Sequence, residues 1–344
     1  MPRGGLKTGT RYLHNLDVSI GVDLNRHGVP GGSLFFYGLA NNKSELSSEL
    51  IGDTQTVSNI DNGEVYRLFE AWFQQEIPNL GYGARYKLGL IDLNSEFDVI
   101  ETAGLFLNSS HGIGPNFSQT GENGPSIFPS TAPAFLVDVS PADGLRLSAG
   151  IFDAVPNNPD RPERHKLSLN EGALLVAEVN YTTSGNLHMG LGAFTYTARF
   201  EPLLAPGDPV RGNSGFYGVI EAPLHERLDG WIRVGVANSS INPISHYAGG
   251  GLVLSAPFMG RPDDKVGLAV AFVLYGGDNK RLILAGGGSP AGSETEIELT
   301  YRFSLGDNLA LQPDLQYVIN PGGTGAVKNA LVLGIRLEIG FGIF

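Results

Sequence analysis

The chain of 344 residues contains no cysteine, which excludes disulfide bonds and thiol chemistry. It also has no run approaching the roughly 18 consecutive apolar residues that a membrane-spanning helix needs. No apolar segment follows Met1–Gly5, so the start is not a secretory signal peptide. We expect any signal peptide to have been removed, or the start to have been trimmed. The formal net charge of −12 argues against nucleic acid as a partner.

Motifs for catalysis and metal binding are also scarce. There is no Gly-x-Ser-x-Gly elbow of the hydrolase kind. His111 and His188 are isolated, and no two histidines lie at metal-ligand spacing with a carboxylate. Asp263 and Asp264 are explained by a Pro-Asp turn. The sequence therefore predicts no enzyme, no cofactor and no metal site.

The clearest positive pattern is at the end of the chain, where apolar residues alternate with polar residues and glycine. The apolar positions are Leu331, Leu333, Ile335, Leu337, Ile339 and Phe341. A period of two predicts a β-strand with one apolar face, long enough for a tilted membrane strand of roughly 9–11 residues. A soluble sheet with one wet face shares the alternation. A long alternating strand that ends in an aromatic residue at the chain terminus is typical of outer-membrane barrels.

The same alternation recurs along the chain and predicts fifteen strands. They are residues 16–24, 33–39, 66–77, 82–93, 132–140, 145–154, 173–182, 187–200, 214–224, 231–237, 247–256, 266–276, 295–305, 309–319 and the final segment from 329. Short and long connections alternate, as in outer-membrane proteins. We predict an all-β fold, a transmembrane antiparallel up-and-down barrel forming one domain over residues 1–344. Residues 94–131 are expected to fold inward as a constriction loop, and residues 40–64 to form a loop with a short helix.

The number of predicted strands raises a difficulty. A closed bacterial barrel normally has an even number of strands, so a sixteenth should precede the first one. Residues 1–12 are too short and glycine-rich to supply it well. We expect that strand to be missing, or to come from sequence ahead of Met1.

Several segments resemble the carbohydrate-selective porins of Gram-negative bacteria, the OprB-type family. They follow the family's order over nearly the whole chain: Tyr66–Trp72, Gly89–Phe97, Leu105–Ser110, Gly260–Asp264, Glu298–Tyr301, Leu311–Gly323 and Ala330–Arg336. The resemblance implies a sixteen-stranded monomeric barrel that passes monosaccharides such as glucose by diffusion, with an inward loop and a constriction lined by arginine and glutamate. Its expected partners are small neutral sugars, outer-membrane lipid and lipopolysaccharide, and the barrel-assembly machinery through the last strand. Two features depart from the family: the strand ahead of Gly4 is lacking, and residues 342–344 extend past the usual terminal aromatic.

Strand parity places a set of charged and polar residues on the inward face, and we predict that they form the pore constriction. They are Glu70, Trp72, Gln74, Arg85, Lys87, Arg146, Glu178, Glu296, Arg302 and Arg336. The same face carries Glu221, Arg233, Glu298 and Glu338. Arginine donors, carboxylate acceptors and an aromatic surface suit a neutral, hydroxyl-rich solute. The alternative for any single residue is that it merely pairs across strands and solvates the lumen.

For Arg85, Lys87 and Arg146 we favour the constriction, because their strands lie close to the inward loop. We expect that loop to present to them an acidic or amide group, one of Asp98, Glu101 or Asn108.

The aromatic residues divide into two groups. Trp72 is expected either to serve as a sugar platform or to pack beneath the inward loop, with equal support for both. Outward tyrosines are assigned to the aromatic girdles of the membrane interfaces: Tyr82, Tyr86, Tyr181, Tyr301 and Tyr317.

We therefore predict a porin for small carbohydrates in the cell outer membrane. A general or anion-preferring porin without sugar specificity is the main alternative, and an outer-membrane hydrolase is a minor one. A hydrolase needs an outward Ser/His pair near a rim, which parity does not reveal. A soluble lectin-like β-sandwich would not explain the alternating loop lengths.

Overall fold

The computed structural model describes residues 3–78, 82–158, 161–166 and 170–342. Most of the turn predicted at residues 78–81 lies outside the described residues. Eighteen strands are described, and they are β1 Arg3–Gly5, β2 Asn15–Asp23, β3 Gly32–Asn41, β4 Val65–Ile77, β5 Ala84–Ile91, β6 Ala132–Ala142, β7 Leu145–Asp153, β8 Asn157–Asn158, β9 Arg161–His165, β10 Ala173–Thr182, β11 His188–Phe200, β12 Val210–His225, β13 Leu228–Ala237, β14 Ile244–Ser255, β15 Lys265–Tyr275, β16 Ser293–Ser304, β17 Leu309–Ile319 and β18 Lys328–Ile339.

Sixteen of these strands form one antiparallel up-and-down sheet, in which neighbours in sequence pair with each other. β1 is the exception, since it pairs with β18 at the far end of the order. β8 and β9 form a separate two-stranded hairpin within the connection from β7 to β10. All fifteen predicted strands are present, although the last ends at Ile339, before Phe341.

The sixteenth strand is β1, so the expectation about residues 1–12 needs correction. Arg3 lies opposite Leu331 and Gly5 opposite Lys328. The glycine content that argued against a strand is what permits the pairing, because a Cβ at Gly4 would lie 2.0 Å from the carbonyl oxygen of Asn329. In the described part of the chain, no ladder joins β2 to β1 or to β18.

The first loop (residues 42–64), between β3 and β4, shows that the sheet curls around. Its side chains Leu46, Leu50, Ile51 and Val57 pack in one buried cluster with residues of β17 and β18, at the opposite end of the strand order. The short helix expected in this loop is a single turn at Ser47–Ile51. The two ends of the sheet are therefore brought together by a loop packed between them.

The two faces of the sheet differ in polarity as the alternation predicts. On β18 the outward side chains are exposed, 76% for Ile335 and 60% for Ile339, whereas Ala330 and Val332 face inward and are buried. Exposed apolar side chains on strand after strand form the surface that a membrane barrel presents to lipid.

The alternation that puts Glu70 and Trp72 on the inward face predicts Phe69 on the outward face, and this prediction is wrong. β4 carries a bulge here: Tyr37 lies opposite Glu70 and Gly38 opposite Leu68, which leaves Phe69 as the extra residue. A one-residue bulge reverses the alternation. Phe69 therefore faces inward and packs edge-on against Tyr37, with ring centroids 5.3 Å apart.

Helices are short and lie in the connections. They are α1 Ser109–Gly112, α2 Pro115–Ser118 and α3 Gly277–Ala285, with 3₁₀ turns at Asn25–His27, Leu93–Ser95, Thr102–Leu105 and Pro321–Gly323. α3 lies in the connection between β15 and β16. Among the described residues, no helix has the length and apolar character needed to cross a bilayer.

Candidate functional site

The inward loop (residues 94–131) lies against the polar face of the sheet. Its backbone N–H groups donate to carboxylates of distant strands: Asp98 N to Glu178 at 2.9 Å, Thr102 N to Glu221 at 2.5 Å, and Leu107 N to Glu298 at 2.6 Å. Glu178, predicted as a constriction residue, is thus a buried anchor for this loop and also accepts from Tyr217 Oη at 2.6 Å.

Arg233 of β13 clamps the middle of the inward loop. Its Nε donates to Asp98 Oδ1 at 2.8 Å, and its Nη atoms donate to the carbonyl oxygens of His111 at 2.7 Å and Gly112 at 3.0 Å. Both charged side chains are 0% exposed. Because a guanidinium offers donors in a fixed planar fork, one arginine fixes several backbone groups at once.

A second charged group, the wall cluster, comprises Arg85, Lys87, Arg146, Glu96 and Asp138. Arg85 Nη2 lies 2.5 Å from Glu96 Oε2, and its Nε lies 2.6 Å from Asp138 Oδ2. Arg146 Nη2 lies 2.8 Å from Asp138 Oδ1 and 3.4 Å from Glu96. Lys87 Nζ also pairs with Glu96. The three cations therefore share two carboxylates.

The loop residue that meets these cations is Glu96, so the expected partners were wrong. Asp98 pairs with Arg233. The Glu101 backbone N–H reaches Glu221 at 3.2 Å, and the Asn108 backbone N–H reaches Glu298 at 3.0 Å. The reason is local: Leu93–Ser95 forms a tight turn directly after β5, which keeps Glu96 beside its own strand while the chain beyond it crosses to the far wall.

Three more predicted residues adjoin the wall cluster. Gln74 Oε1 accepts from Arg85 at 2.9 Å, and Trp72 Nε1 donates to Glu70 Oε2 at 3.1 Å. The Trp72 ring stacks on Phe35 with centroids 5.0 Å apart, and Lys87 Nζ lies 4.0 Å from its centroid. Phe35 and Lys87 come from the two strands that flank β4, so the ring is packed between them.

The remaining predicted residues lie on β16 and β18. Arg302 pairs with Glu338 at 3.0 Å, with 35% and 40% of these side chains exposed. Arg336 Nη2 donates to Asn59 Oδ1 of the first loop at 2.6 Å. Glu296 is buried and contacts His111. Within the described residues, no hydrogen bond or ion pair joins Glu296, Arg302 or Arg336 to the wall cluster, so the predicted set divides into separate groups.

A cavity of about 470 Å³ lies between the two loops and the wall. Its lining mixes aromatic, amide and acidic side chains, among them Tyr37, Phe128, Asn59, Asn94, Asp92 and Glu70. Burial, with Glu70 nearby, raises the pKa of Asp92 to about 7. The volume is in the range of small-molecule sites.

Sequence reasoning missed most of this lining, and it also missed Arg67 and His111. Arg67 faces inward and donates to Ser130 Oγ at 2.6 Å. The strand parity that places Glu70, Trp72 and Gln74 inward would put Arg67 outward, and only the bulge at Phe69 turns it inward. His111 lies on a loop and meets residues 185 positions away, for which no local signal exists.

A sixteen-stranded up-and-down sheet that is apolar outside, polar inside and partly filled by an inward loop defines the class of outer-membrane β-barrel porins. The chain belongs to the carbohydrate-selective porin, OprB family, whose sequence profile matches residues 7–341.

Individual proteins are similar to this chain in sequence or in fold. Porin B of Pseudomonas aeruginosa is 25% identical over 385 residues, which cover 97% of this chain and 83% of that protein. The high-pH structure of Pseudomonas putida OprB superposes with a TM-score of 0.86 at 21% identity, covering 98% of this chain and 90% of the other. An anion-selective porin from Comamonas acidovorans has a TM-score of 0.53 at 15% identity, covering 94% and 88%. These structural likenesses support the barrel fold.

Proposed function

We propose that this porin lies in the outer membrane of a Gram-negative bacterium and lets small neutral sugars, monosaccharides above all, diffuse into the periplasm. The observation that carries the proposal is the wall cluster, in which each cation lies within ion-pair distance of a carboxylate.

Mutual pairing gives the wall cluster the properties that a sugar passage needs. Arg85 and Arg146 keep 21% and 39% of their side chains exposed, so guanidinium N–H groups remain accessible to a solute. Glu96 and Asp138 hold these donors in place and offset most of their charge. A wall of fixed donors and acceptors with little net charge favours hydroxyl groups over free anions.

The adjoining cavity supports the same solute class. Asn59, Asn94 and Glu70 offer amide and carboxylate groups for hydroxyls, and Tyr37 and Phe128 offer apolar surface for the C–H face of a sugar ring. Passage also requires that the solute leave readily, which a set of dispersed weak contacts allows.

A general or anion-preferring porin is the second candidate, and one observation favours it. The accessible side chains of the wall cluster are the two arginines, whereas Glu96 and Asp138 are only 5% and 6% exposed. An anion entering the lumen would therefore meet positive charge first.

Liposome swelling with a graded set of solutes tests the proposal. We expect pentoses and hexoses to enter faster than amino acids or organic acids of similar size, and disaccharides to enter slowly. Arg85→Ala and Arg146→Ala should reduce this preference. Arg199→Ala, at an exposed arginine outside the cluster, serves as the matched control.

The outcomes separate the candidates. Entry rates that depend only on the size of the solute would favour a general porin without sugar specificity. Faster entry of organic acids, together with an anion-directed reversal potential in a salt gradient, would favour the anion channel. Failure of every solute to enter would contradict a porin role for this chain.

A further inference from the structure

The first helix of the inward loop, α1, carries His111 and places its side chain against β16. Glu298 of β16 accepts the backbone N–H groups of Leu107 and Asn108, at 2.6 and 3.0 Å, and so fixes the chain just ahead of α1. The His111 ring lies beside Phe106 and Trp231, with centroids 5.0 and 5.4 Å away. The aromatic neighbours and the anchored backbone together set the direction of the imidazole.

Held in this way, the imidazole meets two carboxylates from the same strand. His111 Nε2 lies 3.2 Å from Glu296 Oε2 and 3.6 Å from Glu298 Oε2. Glu296 and Glu298 share a face because they are two residues apart on β16. All three side chains are 0% exposed, and their ligand atoms lie within 4.8 Å of one another.

Hydrogen bonding within the described residues leaves this group incomplete. Glu296 Oε2 contacts His111, but Glu296 Oε1 has no hydrogen-bond partner, and neither has His111 Nδ1. A fully buried carboxylate with a hydrogen bond to only one of its two oxygens lowers the stability of the folded chain, unless a cation or a proton compensates its charge. A neutral imidazole can donate through Nε2 to only one carboxylate at a time.

Charge is also out of balance around Glu296. Neighbouring carboxylates repel it: those of Glu298, Asp314, Asp53 and Glu294. Arg336 attracts Glu298 and Asp314 but donates its own hydrogen bonds to Ser58 and Asn59. This buried group of carboxylates therefore needs a further cation, or the protonation of one of its members, to balance its negative charge.

We propose that His111, Glu296 and Glu298 bind a divalent first-row cation, with Zn²⁺ as the best match. One imidazole nitrogen and two carboxylate oxygens form a donor set that zinc accepts, at bond lengths of about 2.0–2.2 Å. Tetrahedral ligands at those lengths are separated by about 3.3 Å. His111 Nε2 lies 3.2 and 3.6 Å from the two carboxylate oxygens, and all three ligand atoms lie within 4.8 Å of one another. Ca²⁺ takes six to eight oxygen ligands and fits a nitrogen-containing set less well.

The site would tie the inward loop to the wall. His111 belongs to the loop, whereas both glutamates belong to β16, so a shared cation adds a cross-link beside the Arg233 clamp. It does not depend on which solute the channel passes. Its failure therefore leaves the proposed function untouched, and failure of the sugar preference leaves the metal site standing.

Metal content of the purified full-length chain tests this proposal. Protein without an affinity tag is folded into detergent micelles after EDTA treatment, equilibrated with Zn²⁺, and freed of unbound metal by gel filtration. Mass spectrometry of the elements should give about one zinc ion per chain. Replacement of zinc by Co²⁺ should give a visible absorption band of a low-symmetry nitrogen and oxygen site.

The decisive variant is Glu296→Gln, because Glu296 holds no loop backbone, unlike Glu298. Glu296→Gln and His111→Gln should lose the bound zinc and the cobalt band, whereas His246→Gln removes an exposed imidazole elsewhere and should keep both. Heat-modifiable migration on gels confirms that each variant is folded. Zinc retained by folded Glu296→Gln, or no stoichiometric zinc on the unaltered chain, would overturn the proposal. Displacement of zinc by an equal concentration of Ca²⁺ would overturn the assignment to a first-row metal.

Discussion

Arg233 of β13 and Asp98 of the inward loop form a fully buried ion pair that joins residues 135 positions apart in sequence. The same guanidinium holds the carbonyl oxygens of His111 and Gly112. One side chain of the wall therefore fixes both the start and the middle of the loop that fills the lumen. The position of this loop should depend on that residue.

Arg233→Ala should release the inward loop. The change leaves the Asp98 carboxylate buried without its cation, and breaking a buried pair in this way costs about 3–5 kcal/mol. We expect a lower free energy of unfolding in urea, and single-channel currents that are larger and noisier. Arg199→Ala is the control for loss of an exposed arginine. Steady currents of unchanged size in Arg233→Ala would contradict the clamp.

Glu96→Gln should make the lumen more selective for anions. Glu96 is the carboxylate that Arg85, Lys87 and Arg146 have in common. Its neutral analogue leaves the cations with Asp138 alone, so the local potential becomes more positive. The reversal potential in a salt gradient should shift toward anion selectivity, and sugar entry relative to organic acids should fall.

The matched control for this change is Glu101→Gln, because Glu101 is an exposed acid of the same loop, outside the wall cluster. Equal shifts of the reversal potential in the two variants would show that Glu96 acts only through the total charge of the chain.

The sequence predicted the strands and their faces well, because both depend on local alternation. The outward positions of β18, such as Ile335 and Ile339, are exposed as parity requires. Parity also placed Arg85, Lys87 and Arg146 on one wall. It failed at Phe69, where a single bulge residue reverses the pattern and the sequence of β4 has no glycine or proline to mark it.

Loop contacts were much less predictable than strand faces. Parity shows that Glu178 and Glu298 point inward, but not that each would bind loop backbone rather than face the lumen. Glu96, not Asp98, meets the cations because of one tight turn after β5. Such contacts depend on the path that nearly forty loop residues take through the lumen. The sequence of an irregular loop has no periodic pattern from which that path could be predicted.

Trp72 should tolerate replacement by phenylalanine. Its ring lies between Phe35 and Lys87, so the two flanking strands already occupy the surface that a sugar would need. We expect Trp72→Phe to keep the monosaccharide preference in liposome swelling, because an aromatic ring of the same kind still fills the space. Trp72→Ala should loosen Lys87 and widen the range of solutes. A selective loss of sugar entry in Trp72→Phe would instead favour the sugar platform.

The stability of the turn between β14 and β15 should fall at acidic pH. Arg261 pairs with Asp264, which also accepts from Tyr301 Oη at 2.7 Å and from the Ser304 backbone N–H at 3.0 Å. The Arg261 hydrogen bond holds the pKa of Asp264 down at about 2. Because the folded pKa lies below the model-peptide value of about 3.9, this carboxylate stabilises the turn above that pH. The contribution is lost as the pH falls toward 2.

Asp264→Asn isolates this contribution. The difference in unfolding midpoint between the unaltered chain and Asp264→Asn should be constant from pH 7 to about 4.5 and shrink below it, since only the carboxylate titrates. Asp263→Asn, at the neighbouring position, controls for loss of one negative charge. A difference that persists undiminished at the lowest pH would mean that the turn depends on the shape of the side chain and not on its charge. A difference that grows with acidification would reverse the sign expected from a lowered pKa.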